Sequence, residues 1–509
     1  MSISEHDALT YADMTSELLH PFSSSASTER SDAIHGYVDS TSSDMLVELT
    51  DWIGIRSIAG APESAAHLRE SAQWLAERFR GIGFPAVEIL ATGDSSAVYA
   101  EWITDVDAPT YLIYSHHDVR ATKEASWTVT EPFTPLLRGT RLYGRGSSDA
   151  KGQVMAHLWG LRAYLAATER SAPGVNLKFL IEGEEETGSA HLAELLETHA
   201  DRFAADVIVF SDTLQWSIKH PALCTSIRGM VGAQLELRGP EHDIHSGAVS
   251  GPAPNPIIEL SRLVADLHDD LGRIALPHFY DEVIEPTIER RGQLADLPFE
   301  EHTWIQESHT ERAVGECSYS VLERLWLRPS LEVITFTGGD SFDPPRAVIP
   351  ATAQVSLSIR TVLGQKAHSV AEQLREFVAA RVPASQYTLE ISEATAQEPY
   401  ETPAHPAVDL LAQAMSVGHR VPAVGRMGNA GGGPAELMSR VLDAPVVFYG
   451  TGLVGDNWHD GDESVDTVLL KAGAATLGAF WCLATEQATH GDQADSSGRA
   501  YEPVVWGED

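Results

Sequence analysis

NLKFLIEGEEETGS, residues 176–189, is the stretch on which the fold turns. A strand-like run, 176–181, leads directly into four glutamates within five positions: Glu182, Glu184, Glu185 and Glu186. Like charges this dense repel one another, and burial behind an apolar run adds a desolvation cost. A solvated acidic turn would account for the run. So would a multivalent cation that converts the repulsion into ligation, and the rest of the chain has to decide.

Similar strand-like runs lie at 109–115 (PTYLIYS) and 205–211 (ADVIVFS), with helix-like segments at 150–168 and 189–199 between them. A further helix is predicted over 65–79, with Leu68, Trp74, Leu75 and Phe79 at helical spacing. This alternation predicts an α/β domain with a mostly parallel mixed sheet covered by helices. From about 229 the pattern changes. MVGAQLELRG (230–239) alternates like a half-exposed strand, and Asn255-Pro256 opens a helix to about 269. Strands at 331–336, 351–360 and 386–392 and a helix at 366–381 complete a βαββαβ order, which predicts an inserted ferredoxin-like α+β domain. The expected division is an N-terminal arm (1–40), a catalytic domain in two pieces (41–228 and 395–485), a lid or dimerisation insert (229–394) and a mobile C-terminal tail (486–509).

The bulk properties narrow the function. At 509 residues, 43% of them hydrophobic, the chain is long enough for two or three domains. A formal net charge of −38 argues against nucleic acid and against docking on an anionic membrane. Cys224, Cys317 and Cys482 are far apart and form no C-x-x-C pair, so no thiolate metal site or disulfide framework is expected. The N-terminus has no signal-peptide h-region, and no stretch reads as the ~20 apolar residues of a membrane span. A cytoplasmic protein is expected.

The strands end in polar residues. His116-His117-Asp118 follow 109–115, Asp149 precedes the helix near 150, the glutamates follow 176–181, Asp212 follows 205–211, and His459 follows the late strand PVVFYG (445–450). Ligands of open α/β sheets bind beyond the carboxyl ends of the strands. Any one of these residues alone would read as a cap or a hydrogen-bonded surface group. Together they predict a metal site of imidazole and carboxylate, which suits zinc, with manganese or cobalt as substitutes. Three carboxylates and a bridging hydroxide balance two divalent ions, so a two-metal centre is favoured.

The motifs HHDV (116–119), GRGSSDAKG (144–152), EGEEETGS (182–189), SD (211–212), DIHSG (243–247), VIP…SIR (348–360) and His459 resemble, in order, those of a dinuclear-zinc peptidase and deacylase family. That family, peptidase family M20, includes carnosinases, carboxypeptidase G and aminoacylases, and its carnosinase-like dipeptidase branch fits best. The resemblance implies that His116 and Asp212 hold one metal, Glu186 and His459 the other, and that Asp149 bridges them. It implies that Asp118 orients His116 and that Glu185 acts as general base and acid on a metal-bridging water. His245 would stabilise the oxyanion from the neighbouring subunit of a homodimer. Arg360 would hold the substrate carboxylate in its planar fork, helped by the Gly-rich stretch at Gly432 and Gly433. His117 is expected to be structural, and Glu182 and Glu184 to be solvated or structural.

Three positions depart from the pattern: Ala150 replaces a second Asp, Gly433 a small hydroxyl residue, and no serine follows His459. The expected activity is metal-dependent hydrolysis of dipeptides or other short peptides. An N-acyl-amino-acid deacylase is the alternative within the same chemistry, and a non-catalytic metal-binding relative is the alternative outside it.

Overall fold

Period-2 side-chain alternation with apolar residues on both faces decides how the central sheet is covered. A computed structural model describes residues 25–61, 64–392 and 396–495. Its main sheet contains β1 (Ala86–Thr92), β2 (Ser95–Trp102), β3 (Thr110–His116), β4 (Asn176–Glu182), β5 (Val207–Phe210) and the late strand Val446–Phe448. Their order is β1-β2-β4-β3-β5 followed by the late strand. The last four run parallel, while β1 and β2 form an antiparallel edge. Ile113, Phe179 and Val209 point into one core, and Leu112, Leu180 and Ile208 into the opposite one. A sheet apolar on both faces must be covered twice.

The first face is covered by α1 (Ser25–Ile53), α2 (Ala65–Ile82), α3 (Lys151–Ala167) and helices near the C-terminus. Gly83 closes α2 in the left-handed region, φ 114°, where its N–H reaches Phe79 and Arg80 carbonyls. Residues 25–40 are therefore not a loose arm. Ile34, Val38, Met45, Leu49 and Trp52 recur at helical spacing and are buried. Burying each contributes ~1.5–3 kcal/mol, against ~0.5 kcal/mol for a Ser or Thr in a helix, so packing overrides the Ser-rich composition. Residues 1–24 lie outside the described part of the chain.

Near residue 229 the chain enters a second sheet of β6 (Gly229–Arg238), β7 (Ser330–Gly338), β8 (Thr352–Thr361) and β9 (Tyr387–Ile391). The order is β7-β8-β6-β9, antiparallel throughout, with α4 (Pro256–Ala265) and α5 (Ala367–Ala379) packed on one face. This is the ferredoxin-like arrangement. Asn255 caps α4 by accepting the N–H groups of Ile257 and Ile258. The span 229–394 does not pack as one unit, however. Leu294, Leu297, Leu322 and Trp326 bury in the second core of the main sheet, beside Cys224 and Met427. Their short helices at Ile288–Ala295 and Val321–Trp326 are too small to bury an apolar stripe alone, and they take the nearest uncovered face.

The C-terminal helices α6 (Pro406–His419) and α7 (Thr467–Asp495) complete the first face. Thr467–Thr489 is 23 residues with mean hydropathy 1.5, long and apolar enough by composition to cross a membrane, contrary to the sequence reading. This apolar stretch is 78% buried, because Leu470, Leu477, Phe480 and Trp481 fill the core on the first face of the sheet. The same helix runs through 486–495, so this part of the expected tail is helical, and Arg30 pairs with Glu486.

Candidate metal centre

His116 is the last residue of β3 and pairs with Glu182, the last residue of β4. Asp212 lies two residues beyond β5, and Glu185 and Glu186 open a 3-10 turn three residues beyond β4. All reach the carboxyl edge of the parallel strands. Asp149 comes from the loop before α3, and His459 from the loop after the late strand.

The five predicted ligands come together. His116 Nε2 is 3.1 Å from Asp149 Oδ1 and 3.7 Å from Asp212 Oδ1. His459 Nε2 is 3.0 Å from Asp149 Oδ2 and 3.1 Å from Glu186 Oε2. Asp149 thus offers one oxygen to each histidine. Two triads share this centre, His116–Glu185–Asp212 and Asp149–Glu186–His459, with donor atoms within 4.8 Å of one another in each. His116, Asp149, Glu186 and Asp212 are buried, whereas the His459 side chain is half exposed.

Charge in this pocket is unbalanced. Burial, and then the charge of Asp212, raises the Glu185 carboxyl well above its ordinary range. Burial, followed by Asp149, raises Glu186, and burial also raises Asp212. Asp149 resists burial because hydrogen bonding to His116 and His459 holds its carboxyl low. Asp149 and then Glu186 push His459 up to about 10.

Glu186 Oε1 and Asp212 Oδ1 are buried with no hydrogen-bond partner among the described residues. Donors on one tetrahedral zinc, bound at ~2.0–2.2 Å, stand ~3.3 Å apart, close to the separations measured here. Orphaned carboxylate oxygens, two imidazoles and this spacing fit divalent cations.

The surroundings hold the donors. His116 Nδ1 lies 3.1 Å from the Asp118 carbonyl and 3.3 Å from its Oδ1, while Asp118 Oδ2 accepts the Glu186 N–H at 3.0 Å. One carboxylate therefore touches both halves of the centre. His117 turns away, with Nε2 2.8 Å from the Ser96 carbonyl, and burial lowers it to about 4. Arg120, which the sequence reading missed, donates to the Glu186 carbonyl, and its Nη1 is 3.7 Å from Glu186 Oε2. A lone basic residue two positions beyond an H-x-D was the only signal for it.

Glu182 and Glu184 are not solvated. Glu184 grips His191 at 2.9 Å, and buried Glu182 accepts from Tyr114 and Ser189. Burial pushes Glu182 up to about 8 from 4.5. Its contribution to stability is complete below 4.5 and is lost as pH rises towards 8. Glu182→Gln is therefore expected to melt progressively higher relative to wild type from pH 5 to pH 8. A difference in Tm that stays flat with pH would refute this.

The remaining predicted residues belong to neither triad. His245 is exposed; its Nδ1 accepts the Gly247 N–H at 2.8 Å, and none of its described contacts is with the two triads. Arg360 lies on β8 and is half-buried; burial lowers its pKa. Burial, and then the nearby Arg360, lowers the pKa of the Arg228 guanidinium. Arg228 Nε in turn donates to the Ala430 carbonyl of the Gly-rich loop. A Cβ at Gly432 would meet Gln397 Oε1 at 2.1 Å, and one at Gly433 the Phe210 ring at 2.7 Å. Close packing accounts for both glycines.

Comparison with known proteins agrees with this geometry. Residues 112–482 match Peptidase family M20/M25/M40. The cysteinylglycine-S-conjugate dipeptidase of Corynebacterium striatum is 31% identical over 446 residues, covering 85% of this chain and 94% of that protein. The Beta-Ala-His dipeptidase of Rattus norvegicus is 31% identical over 343 residues, covering 64% of this chain and 69% of its own. Human carnosine dipeptidase 1 superposes with a TM-score of 0.78 at 25% identity, over 90% of this chain and 99% of its own. Dug1p of Saccharomyces cerevisiae does so with a TM-score of 0.79 at 21% identity, over the same shares. The matched span carries both triads, so the chain belongs to peptidase family M20/M25/M40 and is a metal-dependent hydrolase of that family.

Proposed function

We propose that this protein is a dipeptidase with two divalent metal ions, zinc first, with manganese or cobalt as substitutes. The observation that carries the reading is Asp149, whose two oxygens stand 3.1 and 3.0 Å from His116 and His459. A carboxylate so placed suits a ligand shared by two ions, with His116 and Asp212 completing one set and Glu186 and His459 the other. Dipeptidase names among the relatives support the substrate class.

Bound there, the ions supply Lewis acidity towards the scissile carbonyl and acidify water. Glu185 stands beside His116 and Asp212, and its carboxyl is raised by burial, which suits a group that must both take and return a proton. In this reading a Glu185 oxygen takes the proton of the attacking water and delivers it to the leaving amine nitrogen. Asp118 fixes the His116 ring. Arg360 binds the C-terminal carboxylate of the substrate, and the backbone at Gly432 and Gly433 lines the same end.

We place His245 in the site of a partner subunit, as its exposed ring allows. A homodimer is supported by the edge strand β7, where Val333, Ile334 and Phe336 are 40%, 62% and 41% exposed on a ladder with one open side. The proposed catalytic unit is 25–228 with 396–495, joined by the short helices at 288–326, and the sheet of β6 to β9 forms the lid. Three free cysteines suit a reducing, cytoplasmic setting. His245→Ala is expected to lower kcat by about 10²–10³-fold with metal content unchanged, as for loss of an oxyanion donor. Unchanged kcat would remove His245 from the site.

The function itself is tested by amino-acid release from dipeptides, tripeptides and N-acetyl amino acids, with added zinc and with chelator. Chelator-sensitive cleavage of dipeptides is expected. Turnover of only the acylated substrates would make the protein a deacylase, and inactivity with metal bound would make it a binding relative.

A further inference from the structure

Asp149 and His459 reach the centre on two loops widely separated in sequence, and one buried carboxylate ties those loops together. Glu463 is fully buried, four residues beyond His459. Its Oε1 accepts the N–H groups of Ser148 and Asp149, each at 3.0 Å. The Gly146 N–H is shared between Oε1 at 3.1 Å and Oε2 at 3.0 Å, and Arg145 Nη1 donates to Oε2 at 2.6 Å. The Glu463 carbonyl accepts the Gly144 N–H at 2.9 Å. One residue thus organises most of 144–149. Arg145 Nη2 returns the link by donating to the Asp460 carbonyl at 3.0 Å, next to His459.

The His459 loop needs such support. Asn457, His459 and Asp462 all hold φ between 56° and 63°, in the left-handed region that side chains other than glycine seldom adopt. Three backbone N–H groups and a guanidinium converge on the Glu463 carboxylate, which only an acceptor at both oxygens can satisfy. Glutamine would turn an NH2 group towards donors.

We propose that Glu463 is a positioning residue for the metal centre, setting where the Asp149 carboxylate stands relative to His459 and hence how tightly these residues hold metal. This rests on the reading of Asp149 as a shared ligand. A carboxylate that merely neutralises Arg145 would support folding without governing metal affinity.

The test compares full-length wild type, Glu463→Gln and Asp149→Asn. Zinc affinity is read by competition with a chromophoric chelator, stoichiometry by metal analysis, and fold by circular dichroism of the metal-free proteins. In Glu463→Gln one of two zinc ions is expected to bind 10–100-fold more weakly, the usual cost of losing a group that orients a ligand. Its kcat should fall and recover in part with excess zinc, KM should barely move, and the metal-free spectrum should match wild type.

Wild-type zinc affinity in Glu463→Gln, with zinc lost from Asp149→Asn, overturns the role of Glu463 alone. Wild-type affinity in Asp149→Asn overturns the reading of Asp149 itself. If Glu463→Gln does not fold, Glu463→Asp, which keeps the charge one methylene short, is read by the same assays. Unaltered zinc affinity in that variant then overturns the proposal.

Discussion

Glu185→Gln is expected to lower kcat by about 10²–10⁴-fold while two metal ions remain bound and KM moves little. Glu185 and Glu186 are adjacent in one 3-10 turn, yet their surroundings separate them. Glu186 is buried against His459 and Asp149, with its N–H held by Asp118. Glu185 is half-buried and faces His116 and Asp212. Glutamine keeps the shape and removes the group that takes and returns the proton. Metal analysis beside the kinetics decides the outcome. Loss of one zinc equivalent in the variant would make Glu185 a ligand of the His116–Asp212 set, and the base would have to be sought elsewhere.

Asp149→Asn should be more damaging, because it affects both halves of the centre at once. We expect metal affinity to fall by more than the ~100-fold typical of the strongest indirect effects, with dipeptidase activity lost at ordinary zinc concentrations. Neutralising Asp149 also removes the anion that His116 and His459 face at 3.1 and 3.0 Å. Zinc should then raise Tm less in the variant than in wild type, since a ligand stabilises only in proportion to its binding. Equal zinc-dependent shifts in Tm would contradict a shared role for this carboxylate.

The residues that carry charge to the centre were legible because they obey a local rule. His116, the glutamates after 181 and Asp212 each follow a short apolar run that reads as a buried strand, and parallel strands deliver the residues at their carboxyl ends to a common edge. Asn255-Pro256 announced its helix for an equally local reason, a side chain that caps within its own turn. The course of α1 was hidden by its serines, since packing against α3 and α7 outweighs intrinsic preference there. The apolar length of α7 misled in the other direction. A helix buried on nearly all sides has the composition of a membrane span.

By itself the sequence determined the α/β class, the alternation of strands and helices over 109–211, and the identity of the charged residues at the strand ends. Those rest on periodicity and on short-range chemistry. Only the tertiary structure decided which oxygen of Asp149 faces which histidine, that Asp118 touches both halves of the centre, and that Arg120 and Glu463 hold the loops in place. It also decided that the helices at 288–326 pack against the main sheet. Each of these depends on contacts between residues far apart along the chain, whose distances are set by packing and carry no local pattern.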